Sequence, residues 1–259
     1  GACAPPAAPA DGGPEAVAVR LPPAGALFDS QLGGAYDPPA GASVVVRDST
    51  EDPAPDAYSI CYVNGFQTQP GEGAHWLDEH PELVLRDDSG DPVVDPGWPD
   101  EYLLDTSTAG RRERIAAILG TVVASCATRG FDAVEIDNLD SWTRSGGALD
   151  IEGAVDLAAR YARVSHSLGL AIAQKNAAEW SGRLRDEVGF DFAVTEECMR
   201  YEECGAYLEA YDGLVYDIEY GSADEFAAAC ANPARPASMI RRDAELAPAG
   251  SPGYVFETC

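Results

Sequence analysis

Short apolar, β-branched runs return along this chain, most of them closing on a polar or charged residue, and that rhythm leaves few folds open to it. The runs are Leu27–Ser30, Ser43–Arg47, Tyr58–Val63, Ala133–Ile136, Leu170–Gln174, Phe192–Thr195, Leu214–Ile218 and Ala237–Arg241. Between the later ones lie helical patterns. Arg111–Arg129 repeats Ile115, Ile118, Leu119, Val122 and Val123 at helical spacing, Ile151–Leu168 repeats Val155, Leu157, Ala158, Tyr161 and Val164, and Asp224–Ala231 is shorter. Gly130 and Gly169 stand just past the first two, where a left-handed cap favours glycine. Strand–helix–strand repetition predicts a parallel sheet, and eight strands predict its closure into a (β/α)8 TIM barrel, a single α/β domain. The early part is less regular. Residues 48–57 are too short for a full helix, and Gly65–Leu104, rich in Pro, Gly, Asp and Trp, predicts a long loop after strand 3. Residues 1–20 read as a disordered Ala/Pro/Gly-rich tail, and residues 21–259 as the barrel domain.

Charge and cysteine usage narrow the partners. Forty-four acidic residues against seventeen basic ones leave a formal charge of −27. Such a field repels phosphate and anionic lipid, so nucleic acid is excluded as a partner, whereas cations, including polycationic polymers, are attracted. No apolar run reaches the ~20 residues of a membrane-spanning helix. Lys175 is the sole lysine. The seven cysteines form no CxxC pair, and His75, His80 and His166 make no zinc-binding spacing, which favours disulfides and an oxidising compartment over metal. Six cysteines can pair in fifteen ways. Proximity in the expected layout favours Cys61 with Cys126, Cys198 with Cys204, and Cys230 with Cys259. Cys3, in Gly1-Ala2-Cys3, matches the end of a bacterial lipobox and is the candidate for lipidation and a lipid anchor, any export signal having been removed.

Chemistry in a barrel gathers at the carboxyl ends of the strands. Those ends carry Asp29, Asp48, Tyr62 and Asn64, then Glu135, Asp137, Asn138 and Asp140. They continue with Gln174, Lys175 and Asn176, Glu196 and Glu197, Asp217, Glu219 and Tyr220, and Asp243. The rim lacks histidine, and there is no GxSxG elbow and no glycine-rich phosphate loop. No cofactor is implied. Two carboxylates on neighbouring strand ends meet the requirement of glycoside hydrolysis, in which one protonates the leaving oxygen and the other attacks or activates water. On this pattern alone, glycosidase chemistry stands level with cation-assisted lyase, hydrolase or isomerase chemistry. Trp76 and Trp98, in the long loop, are candidate walls of a sugar cleft or else a small satellite core.

Longer strings go further. Phe131–Asp140, Gly169–Asn176, Phe190–Cys198 and Tyr201–Cys204 resemble the endo-α-1,4-polygalactosaminidases, glycoside hydrolase family 114. So do Gln31-Leu-Gly-Gly, Ile60–Asn64 and the ending Gly253–Cys259, in order, from about Phe28 onward. The resemblance implies a (β/α)8 barrel that cleaves α-1,4-linked galactosamine polymers, with Asp137 and Glu196 as its catalytic carboxylates. Asp137 is then expected as nucleophile, held ionised by Lys175. Glu196 is expected as general acid and base, needing partial burial to raise its pKa, with retention of configuration. Glu197 is the rival to Glu196, since a slip of one residue exchanges their directions. Glu135, Asp140, Asn138 and Asn176 suit hydroxyl recognition, Tyr62 can stack on a sugar face, and Asp29, Asp48, Glu219 and Asp243 are candidates to meet substrate amines. The expected partner is a galactosamine-containing polysaccharide, met by a secreted monomer. A non-catalytic carbohydrate-binding barrel and a hydrolase of a different glycan are the competing readings.

Overall fold

The computed structural model describes residues 17–259; Cys3 and its expected lipid lie outside the described residues. The eight expected strands all form, with bounds within one residue of expectation: β1 Phe28–Gln31, β2 Val44–Asp48, β3 Tyr58–Asn64, β4 Ala133–Asp137, β5 Ala171–Lys175, β6 Phe192–Glu196, β7 Val215–Glu219 and β8 Ser238–Arg242. They pair in chain order, each parallel to the next. A ninth strand, β9 Phe256–Thr258, is unexpected and adds antiparallel to β8.

Alternation along the strands divides the apolar residues into two cores. Phe28, Val46, Ile60, Ala133, Ala173, Val194, Ile218 and Ile240 fill the barrel interior. The intervening Val63, Val134, Ile136, Ile172, Ala193 and Val215 pack outward against the helices. Because both faces are covered, each of the eight parallel strands is buried along nearly its whole length, as parallel sheets require. Helix α1 (Gly73–Glu79) lies in the long loop, and α2 (Ala109–Arg129) and α3 (Ile151–Ser167) follow, with α4 (Ser181–Arg183) running into a π-turn at Leu184–Val188; α5 (Cys204–Ala210) and α6 (Ala223–Ala231) complete the set. Thr108 and Asp150 cap α2 and α3 by accepting from Arg111 N and Gly153 N. Gly130 ends α2 at φ 93°, a conformation that costs a side-chain-bearing residue about 1 kcal/mol.

The barrel seam departs from the expectation of one continuous ladder. Among the described residues no backbone ladder joins β8 to β1. Arg242 crosses the gap instead: its Nη1 lies 2.6 Å from Asp29 Oδ1 and also donates to Ser30 O, and both charged side chains are fully buried. Gly33 N adds a bond to Leu246 O of 3.2 Å.

All three expected disulfides are present, Cys61–Cys126, Cys198–Cys204 and Cys230–Cys259. The loop after β3 is long, as expected, yet ordered. Four isolated bridges fold it into a small plate, with Leu85, Leu103 and Leu149 as its own core. That plate stands over the carboxyl end of the barrel.

Candidate active site

Period-two alternation decides which carboxylates face inward. On β4, Ala133 faces the interior, so Glu135 and Asp137 share its face; on β6, Phe192 and Val194 do the same for Glu196. Lys175 closes β5 between them and is almost wholly buried. Its Nζ lies 2.7 Å from Glu135 Oε1 and 3.7 Å from both Asp137 Oδ1 and Glu196 Oε2. Burial alone would strip this ammonium of its proton. The charges of Asp137, Glu135 and Glu196 more than offset that and hold its pKa well above the ordinary lysine value. Glu135, one layer deeper, is pushed above the ordinary carboxylate range by burial, against the pull of Lys175.

The two rim carboxylates have parallel surroundings. Asp137 Oδ2 accepts from Tyr62 Oη at 2.7 Å and Oδ1 from Asn138 N at 2.7 Å. Glu196 Oε1 accepts from Tyr220 Oη at 2.6 Å and Oε2 from Asn176 Nδ2 at 2.9 Å. Burial, followed by the neighbouring carboxylate, drives both phenols well above their usual pKa, so each is a fixed donor. Asn176 also accepts from Glu196 N at 2.9 Å, gripping backbone and side chain together. Asn138, Asn176 and Glu197, which follow strands β4, β5 and β6, all have positive φ, 61°, 50° and 55°. Asparagine tolerates that conformation better than most residues.

A cleft of about 720 Å³ opens above the pair, lined by Asp48, Tyr62, Glu101, Asp137, Asp140 and Lys175 among others. A second basin of about 520 Å³ adjoins it and includes Glu196, Glu179, Glu197, Tyr201 and Glu203 but not Asp137. Trp98, half exposed, borders both.

Of the expected site residues, Asp48, Tyr62, Asp137, Asn138, Asp140, Lys175, Asn176 and Glu196 come together in the first cleft, and Glu135 lies beneath Lys175. Glu197 turns toward Arg200, 2.7 Å away, and reaches only the second basin. Four do not reach either. Asp29 is consumed in the seam with Arg242. Glu219 lies on the outward face of β7, where it accepts from Met199 N. Asp243 holds the chain's last turns by accepting from Ala247 N and Val255 N. Trp76, on α1, is buried in the core outside the barrel.

Sequence reasoning missed Asp95, Glu101 and Arg144. Arg144 bridges the loop to the rim, 2.9 Å from Asp95 and 3.0 Å from Asp140. Glu101 follows the Asp95-Pro-Gly-Trp98 turn, the one local sign that this stretch folds back over the barrel mouth. Among the described residues the grouping with metal-ligand spacing is Cys198, Cys204 and Asp217, and its sulfurs are joined in a disulfide.

The fold has counterparts among solved structures. No curated protein sequence matches the chain. In solved structures, Ega3 of Aspergillus fumigatus, in complex with galactosamine, superposes with a TM-score of 0.73 at 21% identity, over 95% of this chain and 100% of that one. The glycoside hydrolase domain of PelA from Pseudomonas aeruginosa does so at 0.57 and 15% identity, over 87% of this chain and 96% of that one. Both likenesses concern the fold. The model of glycoside-hydrolase family GH114 matches residues 8–259, and the chain therefore belongs to that family and is a glycoside hydrolase.

Proposed function

We propose that the protein cleaves α-1,4-linked galactosamine polymers at internal bonds, with Asp137 as nucleophile and Glu196 as acid and base. The observation that carries this reading is the pair of inward carboxylates touching one buried ammonium at the floor of an acidic cleft. Glu196 donates its proton to the glycosidic oxygen as that bond breaks, while Asp137 attacks the anomeric carbon and forms a glycosyl ester. Glu196, now a carboxylate, takes a proton from water as the water attacks the same carbon, releasing the sugar and restoring Asp137.

Two features support the finer points. Both carboxylates lie against a single ammonium, so their nearest oxygens are at most twice 3.7 Å apart. That bound admits the short spacing of retaining enzymes, roughly 5–5.5 Å, and excludes the wider part of the inverting range of roughly 6.5–9.5 Å. The two basins meet at Glu196 and continue to either side, which suits a chain lying across the site rather than a chain end held in a closed pocket. Since the acid faces the leaving group, the basin that contains Glu196 without Asp137 takes the departing segment. Galactosamine as the sugar is supported by the acidic lining and by the galactosamine complex of Ega3. The three disulfides fit an oxidising, extracellular setting. Among the described residues no helix is long and apolar enough to cross a membrane.

The test is release of reducing ends from a galactosamine-rich polysaccharide. Asp137→Asn and Glu196→Gln are each expected to lower the rate by roughly a thousandfold or more, about 4 kcal/mol of barrier. Activity surviving in either variant would end this assignment, and binding without cleavage by the unaltered protein would make it a carbohydrate-binding barrel.

A further inference from the structure

Two cations line the cleft, Lys175 on its floor and Arg144 on its wall. Lys175 lies among the working carboxylates. Arg144 does not: among the described residues its ion pairs are with Asp95 and Asp140, and none joins it to Asp137 or Glu196. Its Nη1 donates to Asp140 Oδ1 at 3.0 Å, and its Nη2 donates to Gln67 Oε1 at 3.0 Å and to Asn138 Oδ1 at 3.1 Å. Nε lies 2.9 Å from Asp95 Oδ2, an ion pair without an aligned hydrogen bond. Asp95 is itself fixed, since its Oδ1 accepts from Gly97 N at 2.8 Å and from Trp98 N at 3.2 Å. Three segments therefore meet on one guanidinium: the exit of β3, the plate over the barrel, and the turn that follows β4. Asn138, in that turn, passes the constraint on. It stands at φ 61°, its N–H donates to Asp137 Oδ1 at 2.7 Å, and its side-chain Nδ2 donates to Asn64 Oδ1 at 2.9 Å.

We propose that Arg144 is a positioning residue for the reaction, holding the Asp137 carboxylate at its working angle through the side chain and backbone of Asn138. The proposal rests on the reading of Asp137 as the nucleophile. The physical reason lies in the Asn138 amide. A residue in the left-handed region has no helix or sheet ladder to hold it, and an asparagine amide carries an acceptor on one side and donors on the other. With Arg144 in place, a turned-over amide would set its NH2 against the guanidinium and its oxygen against Asn64 Oδ1 and Glu101 Oε2. Both contacts repel, so one orientation survives. Without the guanidinium, half of that choice is gone, the turn after β4 is released from the plate, and Asp137 Oδ1 no longer has a fixed donor. The planar fork of arginine reaches several acceptors in one geometry, whereas the single ammonium of a lysine cannot span them. Because Arg144 is tied to the plate and to the rim at once, the long loop after β3 becomes part of the support of the nucleophile.

Arg144→Met and Arg144→Lys test this, with Arg112→Met as the comparator. Arg112 is about as buried and also bridges segments, pairing with Asp156 and donating to Thr106 O at 2.7 Å, but it has no place in either basin. Initial rates on a galactosamine-rich polysaccharide give kcat and KM. Arg144→Met is expected to lower kcat by roughly a hundredfold, the cost of a reacting group displaced by about 1 Å, while KM changes by less than about threefold. Arg144→Lys should lose roughly tenfold or more, and it answers the question if the methionine variant does not fold. Arg112→Met should lose stability to urea and keep kcat within about twofold. Crystal structures of the Arg144 variants should show the Asn138 turn rebuilt and the Asp137 carboxylate moved by roughly 0.5 Å or more. A normal kcat, a loss carried by KM alone, an equal kcat loss in Arg112→Met, or an Asp137 turn that stays in place overturns the proposal. The outcomes are separable from those of the hydrolytic assignment. Cleavage that is lost in Asp137→Asn and untouched in Arg144→Met removes this proposal alone. If the unaltered protein cleaves no such polymer, the hydrolytic reading falls, and the position of Asp137 in the variant structures still decides what Arg144 holds.

Discussion

Lys175 is the one lysine of the chain, and it stands where three carboxylates converge. Remove its charge and Glu135, already above the ordinary carboxylate range by burial, loses the cation that pulls it down. Lys175→Met should therefore do two things at once. Unfolding by urea should show a loss of about 3–5 kcal/mol, because Glu135 is left buried without its cation. The rate should fall roughly a hundredfold or more, because the proposed nucleophile Asp137 loses the cation beside it. A variant with normal stability and normal rate would show that the ammonium is a bystander. Legibility at this scale followed the strand period. Asp137, Lys175 and Glu196 stood at strand ends, where alternation dictates direction, and family-like strings surrounded them. Glu101 and Arg144 had no such frame: one lies in a loop, the other in a 3-10 turn at Ser141–Arg144, and long-range contacts alone bring them to the mouth. Asp29, Glu219 and Asp243 stand outside both clefts for a related reason. A strand end marks height in the barrel, but a partner such as Arg242 can claim the side chain for the seam.

At the scale of elements, the segment after β6 is held from three sides. Cys198–Cys204 closes it, Asp217 Oδ1 accepts from Cys198 N at 3.2 Å, and Glu219 Oε1 accepts from Met199 N at 2.8 Å. Asp217 and Glu219 lie on the outward face of β7, so that strand serves as a rail for the turn that follows Glu196. Burial, followed by the charge of Glu219, raises Asp217 well above the ordinary carboxylate range. A bridge across six residues contributes only about 2 kcal/mol through chain entropy, whereas Cys61–Cys126, across 65, contributes about 4 kcal/mol. Replacing both Cys198 and Cys204 by Ser should consequently cost less stability than replacing Cys61 and Cys126 by Ala. It should cost more activity, roughly tenfold, because it loosens the turn beside the acid. Thermal melts and initial rates on the two double variants decide this; the reverse ranking in activity would show that the turn is not a support. The eight strands were readable because both faces of each are buried, which forces continuous apolar runs. β9 was not, since three residues have no period and owe their strand to Ile240–Arg242 and to the Cys230–Cys259 bridge beside it.

Across the whole molecule, the proposed function has charge and shape act on a polymer before any sugar reaches Asp137. A net charge of −27 surrounds a mouth that itself carries Asp48, Glu72, Asp95 and Glu101 on one side of Glu196 and Glu179 and Glu203 on the other. In the second basin Glu203 is raised above the usual carboxylate range by burial and then by Glu179, two acids whose repulsion a passing ammonium relieves. Fields of this kind raise encounter rates of oppositely charged ligands by roughly ten- to a thousandfold and are screened over about 8 Å at physiological salt. The attraction that steers a long polycation is spread over exposed charges and is open to that screening. A single free sugar amine carries one charge into the cleft, so its binding is much less so. Raising salt from about 0.05 to 0.5 M should therefore lower kcat/KM on the polymer by roughly tenfold, mainly through KM, while the affinity for free galactosamine changes by less than about threefold. Equal losses for polymer and monosaccharide would mean that the surface charge plays no part in capture. The acidic character of the chain would then be a matter of solubility, and selection for a cationic glycan would fall to the cleft alone.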